Sequence, residues 1–480
     1  MEKGESQDDV HAPCRELIAK LQEHIKRLER EIEELKARLN KNSRNSSKPP
    51  SSNPPWISNK PPKPPGGRSP GGQEGHSGNS RALLPPDQVS EVVEVKPQEC
   101  RRCGRRLRGT DPDPRRHQVT DLPPVVARTL EYLLHRLICP DCGTQTSAEL
   151  PSGISSGNFG PGVEALCAYL SGQAHLSKRL VQEVMKDCFG IEMSVGSVVA
   201  AQQSVSEALG QPVAEARTYV QEQIIIHADE TSWKEGSDQP DGTGRAKAWL
   251  WVAATQFVSV FLIHAHRGAD AARELLGDFA GYLVTDRWNG YHEWPIRKRQ
   301  LCWAHLIRDF RAFSEWKGGE KLGKALLQQS RKLFELWHRV RDGTLGQETF
   351  QKQVGPIRRR VENLLHQATR SENRELARSC GRMLKVFPAF WTFLRVPGME
   401  PTNNAAERAL RPAVLYRKIS FGTQSSEGSR FVERMLTVVS TLRQQGRNVL
   451  GYLRQSCQRA NLGNKAPSLL PTLRLARAVS

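Results

Sequence analysis

Three acidic residues stand where metal-assisted phosphodiester chemistry would need them: Asp229, Asp286 and Glu407. In-line displacement at phosphorus can be run by two divalent ions about 3.5–4 Å apart, one at the attacking oxygen and one at the leaving oxygen. Mg²⁺, or Mn²⁺ in its place, takes oxygen ligands and keeps several waters, so a few carboxylates plus substrate phosphate oxygens are enough. No nucleophilic side chain is required, and none stands out. A second constellation is Cys100-x-x-Cys103 with Cys139-x-x-Cys142, each pair trailed by a glycine, Gly104 and Gly143. Two such turns present four sulfurs, the ligand set of one structural Zn²⁺. The gap between the pairs exceeds the usual fifteen to twenty or so residues, which a longer intervening hairpin (HQVTDLPPVVARTLEYLLHRLIC) would absorb. A redox CxxC is expected once, beside a βαβ unit, rather than twice.

The elements that must position the carboxylates follow from local pattern. Gln223 to Ala228 (QIIIHA) is β-branched and reads as a strand ending at Asp229. Lys247 to Ala254 and Phe257 to Ile263 read as two more strands, followed by a helix from about Gly268 to Asp278. Gly281 to Thr285 is a fourth strand ending at Asp286, Arg299 to Trp303 a fifth, and His305 to Phe313 a helix. This order is that of an RNase H-like domain, a mixed sheet flanked by helices, in which the ends of the first and fourth strands come together. The third carboxylate then comes from a late helix, supplied by PTNNAAERALRP, with Asn403 or Asn404 as cap and Glu407 in the first turns.

Blander readings exist for each residue. Asp229 could end a strand at a turn, Asp286 could open the turn RWNGY, and Glu407 could close a capping box with Asn404. Alternation along a strand sends Glu230 to the face opposite Asp229, where it reads as a solvent-facing charge. Arg408, Arg411, Arg417 and Lys418 crowd the segment around Glu407, placed for phosphate contact; Arg411 is also spaced for a helical pair with Glu407.

The remaining chain sorts into a multidomain α+β protein. A coiled coil covers 14–42, with Ile18, Ile25, Ile32 and Leu39 at a positions and Leu21, Leu28 and Leu35 at d positions, a pattern that favours a parallel dimer. The alternative is one amphipathic helix packed on its own chain. A Pro/Ser/Gly linker over 43–85 lacks the apolar content to fold, and the zinc ribbon covers 90–147. A helical, helix-turn-helix-like region spans 160–221, with Ser194 as an N-cap. The catalytic core is split into 222–315 and 397–455 around a helical stretch at 316–396, and 456–480 is a C-terminal tail.

Composition agrees. Lys plus Arg number 70 against 51 Asp plus Glu, a formal charge of +19, which favours a polyanionic partner such as nucleic acid. The N-terminus has no apolar core of a secretory signal, and the apolar stretch Ala248 to Ile263 is interrupted and too short to span a bilayer. With ten cysteines and no export signal, reduced thiols in a cytoplasmic protein are expected.

The stretches HADETSW, DRWNGY, LCWAHLIRDF and TNNAAERALRPAVLYRKISFGTQSSEGSRF resemble the motifs of the IS66 family of bacterial insertion-sequence transposases. The likeness extends to the N-terminal helix, SSKPPSSN and the cysteine knuckles. It implies an acidic triad at Asp229, Asp286 and Glu407, and a helical insertion of the kind several DDE transposases place before the Glu helix. Cys302-Trp303-Ala304-His305 matches a CxxH element of related enzymes, with no partners identifiable for a second zinc. The implied activity is cleavage at the 3′ ends of the element and joining to target DNA, by a nucleoid-associated dimer or larger assembly, with accessory transposition proteins as a further partner class. An RNase H-like nuclease that does not join strands, and a non-catalytic zinc-ribbon regulator, are the alternatives.

Overall fold

The computed structural model describes residues 12–39, 41–46, 81–236 and 245–472, and across them the chain is a mixed α/β protein with thirteen α-helices. The linker expected over 43–85 falls mostly outside the described residues, as do the middle of the loop at 236–246 and the last residues of the tail.

Helix α1 (Ala12–Leu39) carries the heptad stripe. All seven a and d residues are exposed, from 43% at Leu28 to 80% at Leu39. The intramolecular alternative, in which the stripe packs on its own chain, is therefore not the arrangement adopted among the described residues.

In the cysteine-bearing segment, β1 (Arg136–Ile138) and β2 (Gln145–Ser147) pair antiparallel around the second knuckle. An isolated bridge, Glu99 with Arg106, closes the first. The hairpin expected between them does not form: 107–135 is extended without strand pairing, and Val119, Leu122, Val126 and Leu133 are exposed. β propensity alone does not hold a strand without a partner ladder.

Four helices follow: α2 (Pro161–Gly172), α3 (Lys178–Phe189), α4 (Val195–Ala208) and α5 (Gly210–Gln221). Ser177 caps α3 and Ser194 caps α4, each accepting a backbone N–H three residues on, and Gly190 ends α3 at φ 65°. One side of this bundle forms a small core of Cys167, Val181, Met185, Met193 and Val198. Its other side, Ala165, Val205, Leu209 and Val220, enters the main core with the sheet. The break expected at 221/222 is thus a connection, not a packing boundary.

The central sheet contains β3 (Ile225–Gly236), β4 (Arg245–Ala254), β5 (Ser259–His264), β6 (Tyr282–Thr285) and β7 (Arg299–Leu301), in the order β5-β4-β3-β6-β7. The β3–β4 and β4–β5 pairs are antiparallel, whereas β3–β6 and β6–β7 are parallel. Helix α6 (Ala269–Leu276) leads to β6, and α7 (Trp303–Glu315) follows β7. One correction concerns β3: it does not stop at Asp229 but runs on to Gly236, because β4 supplies a partner for the whole length, Asp229 opposite Val252 and Gly236 opposite Arg245.

Helices α8 (Glu320–Arg341), α9 (Gln347–Ala368) and α10 (Arg374–Lys385) share a second core with Val284, Leu301, Trp303 and Leu306. The division expected at 315/316 therefore cuts across one core. After α11 (Asn404–Ser420), α12 (Ser426–Gln444) and α13 (Val449–Asn461), the chain is not yet a free tail. Helix α13 crosses 455/456, and Leu469 is fully buried with its carbonyl accepting from Gln445 Nε2 at 2.8 Å.

Helix α12 covers the β5 edge of the sheet in register. The hydroxyls of Thr441 and Thr437 accept the N–H groups of Ser259 and Phe261, each at 3.1 Å, and Glu433 Oε1 accepts that of Ile263. Four helical residues rise about 6 Å and two strand residues about 6.8 Å, so side chains spaced by four match N–H groups spaced by two. The edge is thereby closed to further strand addition. No described helix is long and apolar enough to cross a membrane.

Candidate active site

The parallel register sets two of the carboxylates. Ile225, Ile226 and His227 on β3 face Tyr282, Leu283 and Val284 on β6, and two residues further along each chain stand Asp229 and Asp286. Each is oriented by a backbone donor: Asp229 Oδ1 accepts from Glu230 N at 2.9 Å, and Asp286 Oδ1 from Trp288 N at 2.8 Å. Burial, reinforced by the charges of Glu230, Asp286 and Glu407, pushes the Asp229 carboxyl well above the usual range. Like charges gathered in a partly desolvated place resist ionising together.

Glu407 arrives on α11, which is anchored by the residue in front of it. Asn403 is fully buried; its Nδ2 donates to Ala228 O at 2.8 Å and its Oδ1 lies 3.2 Å from His227 Nδ1. The Asn403 side chain thus faces the sheet instead of capping the helix, and the capping box is not formed. Glu407 Oε1 is buried with no hydrogen-bond partner, 3.8 Å from His305 Nδ1, which also lacks one. Cys302 Sγ lies within 4.8 Å of the same two groups. Burial, helped by Arg308, lowers the His305 pKa.

Glu230 departs from expectation. Its side chain is not on a solvent face but covered, 1% exposed. Arg267 donates to its Oε1 at 2.7 and 3.0 Å, and Tyr291 Oη donates to its Oε2 at 2.8 Å. The guanidinium of Arg267 lies over the rings of Trp249 and Trp288 at 4.7 and 4.5 Å. Glu230 is a buried brace behind the acidic cluster, not a surface charge.

The basic residues divide. Arg411 and Lys418 are exposed. Arg408 is exposed and lines a cleft of about 850 Å³ together with His175, His227 and Arg443. Arg417 is already engaged: one guanidinium nitrogen bonds Thr231 Oγ1 at 3.0 Å, Ser232 Oγ at 2.6 Å and the Ser232 carbonyl. It clamps the end of α11 to β3. The loop after it does the same. Thr423 N donates to Lys234 O at 3.0 Å, Gly236 N donates to Thr423 O at 2.8 Å, and Trp233 Nε1 donates to Thr423 Oγ1 at 3.1 Å. Gly422 sits at φ 101° with Lys234 O 2.0 Å from where a Cβ would be, so only glycine allows this approach.

Each cysteine knuckle is built alike. Cys100 N donates to Arg105 O and Gly104 N to Cys100 O, both at 2.9 Å; Cys139 N donates to Thr144 O and Gly143 N to Cys139 O at the same distance. Gly104 and Gly143 take φ 68° and 72°. Backbone hydrogen bonds lower the Cys100 thiol pKa, and side-chain and backbone hydrogen bonding with Thr144 lowers that of Cys142. The structure does not gather the two pairs into one cluster: among the described residues the close ligand groups are Cys302, His305 and Glu407, and His264, His266 and Asp270. Local backbone bonds close each knuckle, whereas only unpaired extended chain connects them.

Sequence reasoning did not single out Tyr291, Arg267 or the role of Asn403. The signal was present in DRWNGY and TNN, but their partners lie at distant positions.

The mixed sheet and the helix packed on it bring three carboxylates dispersed in sequence, Asp229, Asp286 and Glu407, near one another. The chain belongs to the Transposase IS66 family, which matches residues 156–430. Residues 3–82 match a second family, DUF6444, of unknown function. The chain is also similar to the uncharacterized protein y4hP of Sinorhizobium fredii, 25% identical over an alignment of 398 positions that covers 75% of this chain and 70% of the relative. The uncharacterized protein y4qI of the same organism is 24% identical over an alignment of 293 positions that covers 51% of this chain and 49% of the relative.

Proposed function

We propose that the protein is a DDE transposase with an RNase H-like core, which hydrolyses the 3′ ends of its element and joins them to target DNA. Asp229, Asp286 and Glu407 would hold two Mg²⁺ or Mn²⁺ ions. The carrying observation is geometric: the parallel β3–β6 register sets Asp229 beside Asp286, and Asn403 fixes the start of the Glu407 helix to the residue before Asp229. Such a cluster gains from a cation and fits hard divalent ions with oxygen ligands. Bound ions would supply activation of the attacking oxygen and stabilisation of the leaving one. The chain's own part is positioning: β3 and β6 set the two aspartates side by side, Asn403 brings the Glu407 helix to β3, and Glu230 with Arg267 and Tyr291 backs the cluster.

Around this core we assign the coiled coil to dimerisation and the α3–α4 pair to recognition of element ends. The four knuckle cysteines, Cys100, Cys103, Cys139 and Cys142, would hold one structural Zn²⁺ once the two pairs, apart in this structure, are drawn together around it. The expected setting is cytoplasmic and nucleoid-associated.

The test incubates the purified protein and Mg²⁺ with labelled DNA carrying the element's ends. Asp229→Asn, Asp286→Asn and Glu407→Gln should each abolish cleavage and joining while DNA binding persists, with little further loss in the triple variant. Wild-type activity in any single variant would remove that residue from the site, and cleavage without joining would make the protein a nuclease.

A further inference from the structure

Glu407 also faces two side chains, Cys302 and His305, that the carboxylate triad does not use. Cys302 is the N-cap of α7, and His305 follows one helical turn later, so both side chains come to the same side of the helix start. Glu407 reaches them from α11, and Sγ of Cys302, a ring nitrogen of His305 and a carboxylate oxygen of Glu407 all lie within 4.8 Å of one another. Cys302 is 1% exposed, and its sulfur is fixed by the Asn403 N–H at 3.1 Å. His305 Nδ1 and Glu407 Oε1 face each other at 3.8 Å, both buried and both without a hydrogen-bond partner. Buried polar atoms are nearly always satisfied, and 3.8 Å is too long for a hydrogen bond between them.

We infer that Cys302, His305 and Glu407 form a binding site for a borderline-soft divalent cation, Zn²⁺ in the first place. Thiolate, imidazole and carboxylate are the three protein ligand types that zinc takes, at about 2.3, 2.0–2.1 and 2.0–2.2 Å. Tetrahedral placement at those lengths sets the ligand atoms roughly 3.3–3.6 Å apart, so the present spacing needs only a small contraction. Mg²⁺ and Ca²⁺ are disfavoured by sulfur and nitrogen ligands. The site shares Glu407 with the proposed active site and would pin the Glu407 helix to the start of α7. It rests on that reading only through Glu407; the ligand geometry stands without it.

The probe is Co²⁺, which reports thiolate ligation by charge-transfer absorption, titrated into the full-length chain with bound metal counted by equilibrium dialysis. Cys302→Ser, His305→Asn and Glu407→Gln should each lose one tight equivalent, or bind it at least ~100-fold more weakly. His305→Cys should retain that equivalent with stronger charge-transfer intensity. A Co²⁺ stoichiometry and spectrum unchanged in both Cys302→Ser and His305→Asn would overturn the site. Melting curves check that Cys302→Ser folds, and the more accessible His305 variants carry the test if it does not. Asp229→Asn separates the two ideas: it should keep the cobalt site while losing Mg²⁺-dependent cleavage. Cleavage retained there counts against the triad alone, whereas loss there of the charge-transfer absorption that Cys302→Ser removes counts against this site.

Discussion

Asn403 Nδ2 donates a 2.8 Å hydrogen bond to the carbonyl of Ala228, the residue immediately before Asp229. This single contact joins the helix that carries Glu407 to the strand that carries Asp229 across 175 residues of sequence. Its companion bond to His227 is part-buried, and desolvation holds the His227 imidazole down at about 4. A neutral ring is what such a place allows. Asn403→Ala would leave Ala228 O without this donor and His227 without its partner, costing about 1–3 kcal/mol. We expect end cleavage to fall by more than tenfold with DNA affinity little changed. Equal loss of both would mean that Asn403 serves only folding.

Glu230 is expected to behave as a brace. Glu230→Gln removes the negative half of its pair with Arg267, and Tyr291→Phe removes a buried hydrogen bond. The first should destabilise by about 1–2 kcal/mol, because it weakens the bonds from a guanidinium that is itself 35% exposed. The second should cost about 1–2 kcal/mol. Denaturant melts check both, and Glu230→Gln with wild-type stability would return Glu230 to the role of an indifferent charge.

Arg417 and Lys418 are adjacent yet should give different phenotypes. Lys418→Glu changes an exposed charge, so it should weaken binding to every DNA sequence and lower the salt slope by roughly one. Arg417→Glu breaks the clamp on Thr231 and Ser232 and should lower thermal stability as well as activity. Binding isotherms at several salt concentrations, read beside melting curves, separate the two. Matching phenotypes without a stability loss would place Arg417 on phosphate after all.

Glu433 supplies a pH test remote from the acidic cluster. Burial raises its carboxyl to about 7, although the Ile263 N–H, Arg217 and Arg430 oppose the shift. An acid whose folded pKa is raised contributes stability that is full below its ordinary value of 4.5 and is lost as pH rises through about 7. Wild type should therefore lose on the order of 2–3 kcal/mol across that window from this group, whereas Glu433→Gln, which keeps an acceptor for Ile263 N, should not. The variant should match wild type near pH 4.5 and be the more stable near pH 8. A stability difference that stays flat with pH would show that Glu433 is not buried as described.

What the sequence determined by itself was local. The alternation and β-branched content of 223–301 set the order of strands, and Ser177, Ser194 and Gly190 set helix ends, because caps and periodicity act within a few residues. The positions of Asp229 and Asp286 were legible for the same reason, as was the heptad stripe of α1. Family resemblance, carried by long motifs such as TNNAAERALRP, pointed to Glu407. The tertiary structure decided everything that depends on partners distant in the chain. It buried Glu230 against Arg267 and Tyr291, turned Asn403 from a helix cap to a link with Ala228, and drew Arg417 onto β3. It also carried β3 past Asp229 along its β4 partner and set Cys302 and His305 beside Glu407. Periodicity says which way a side chain points from its own element, but burial and pairing depend on what another element places opposite it.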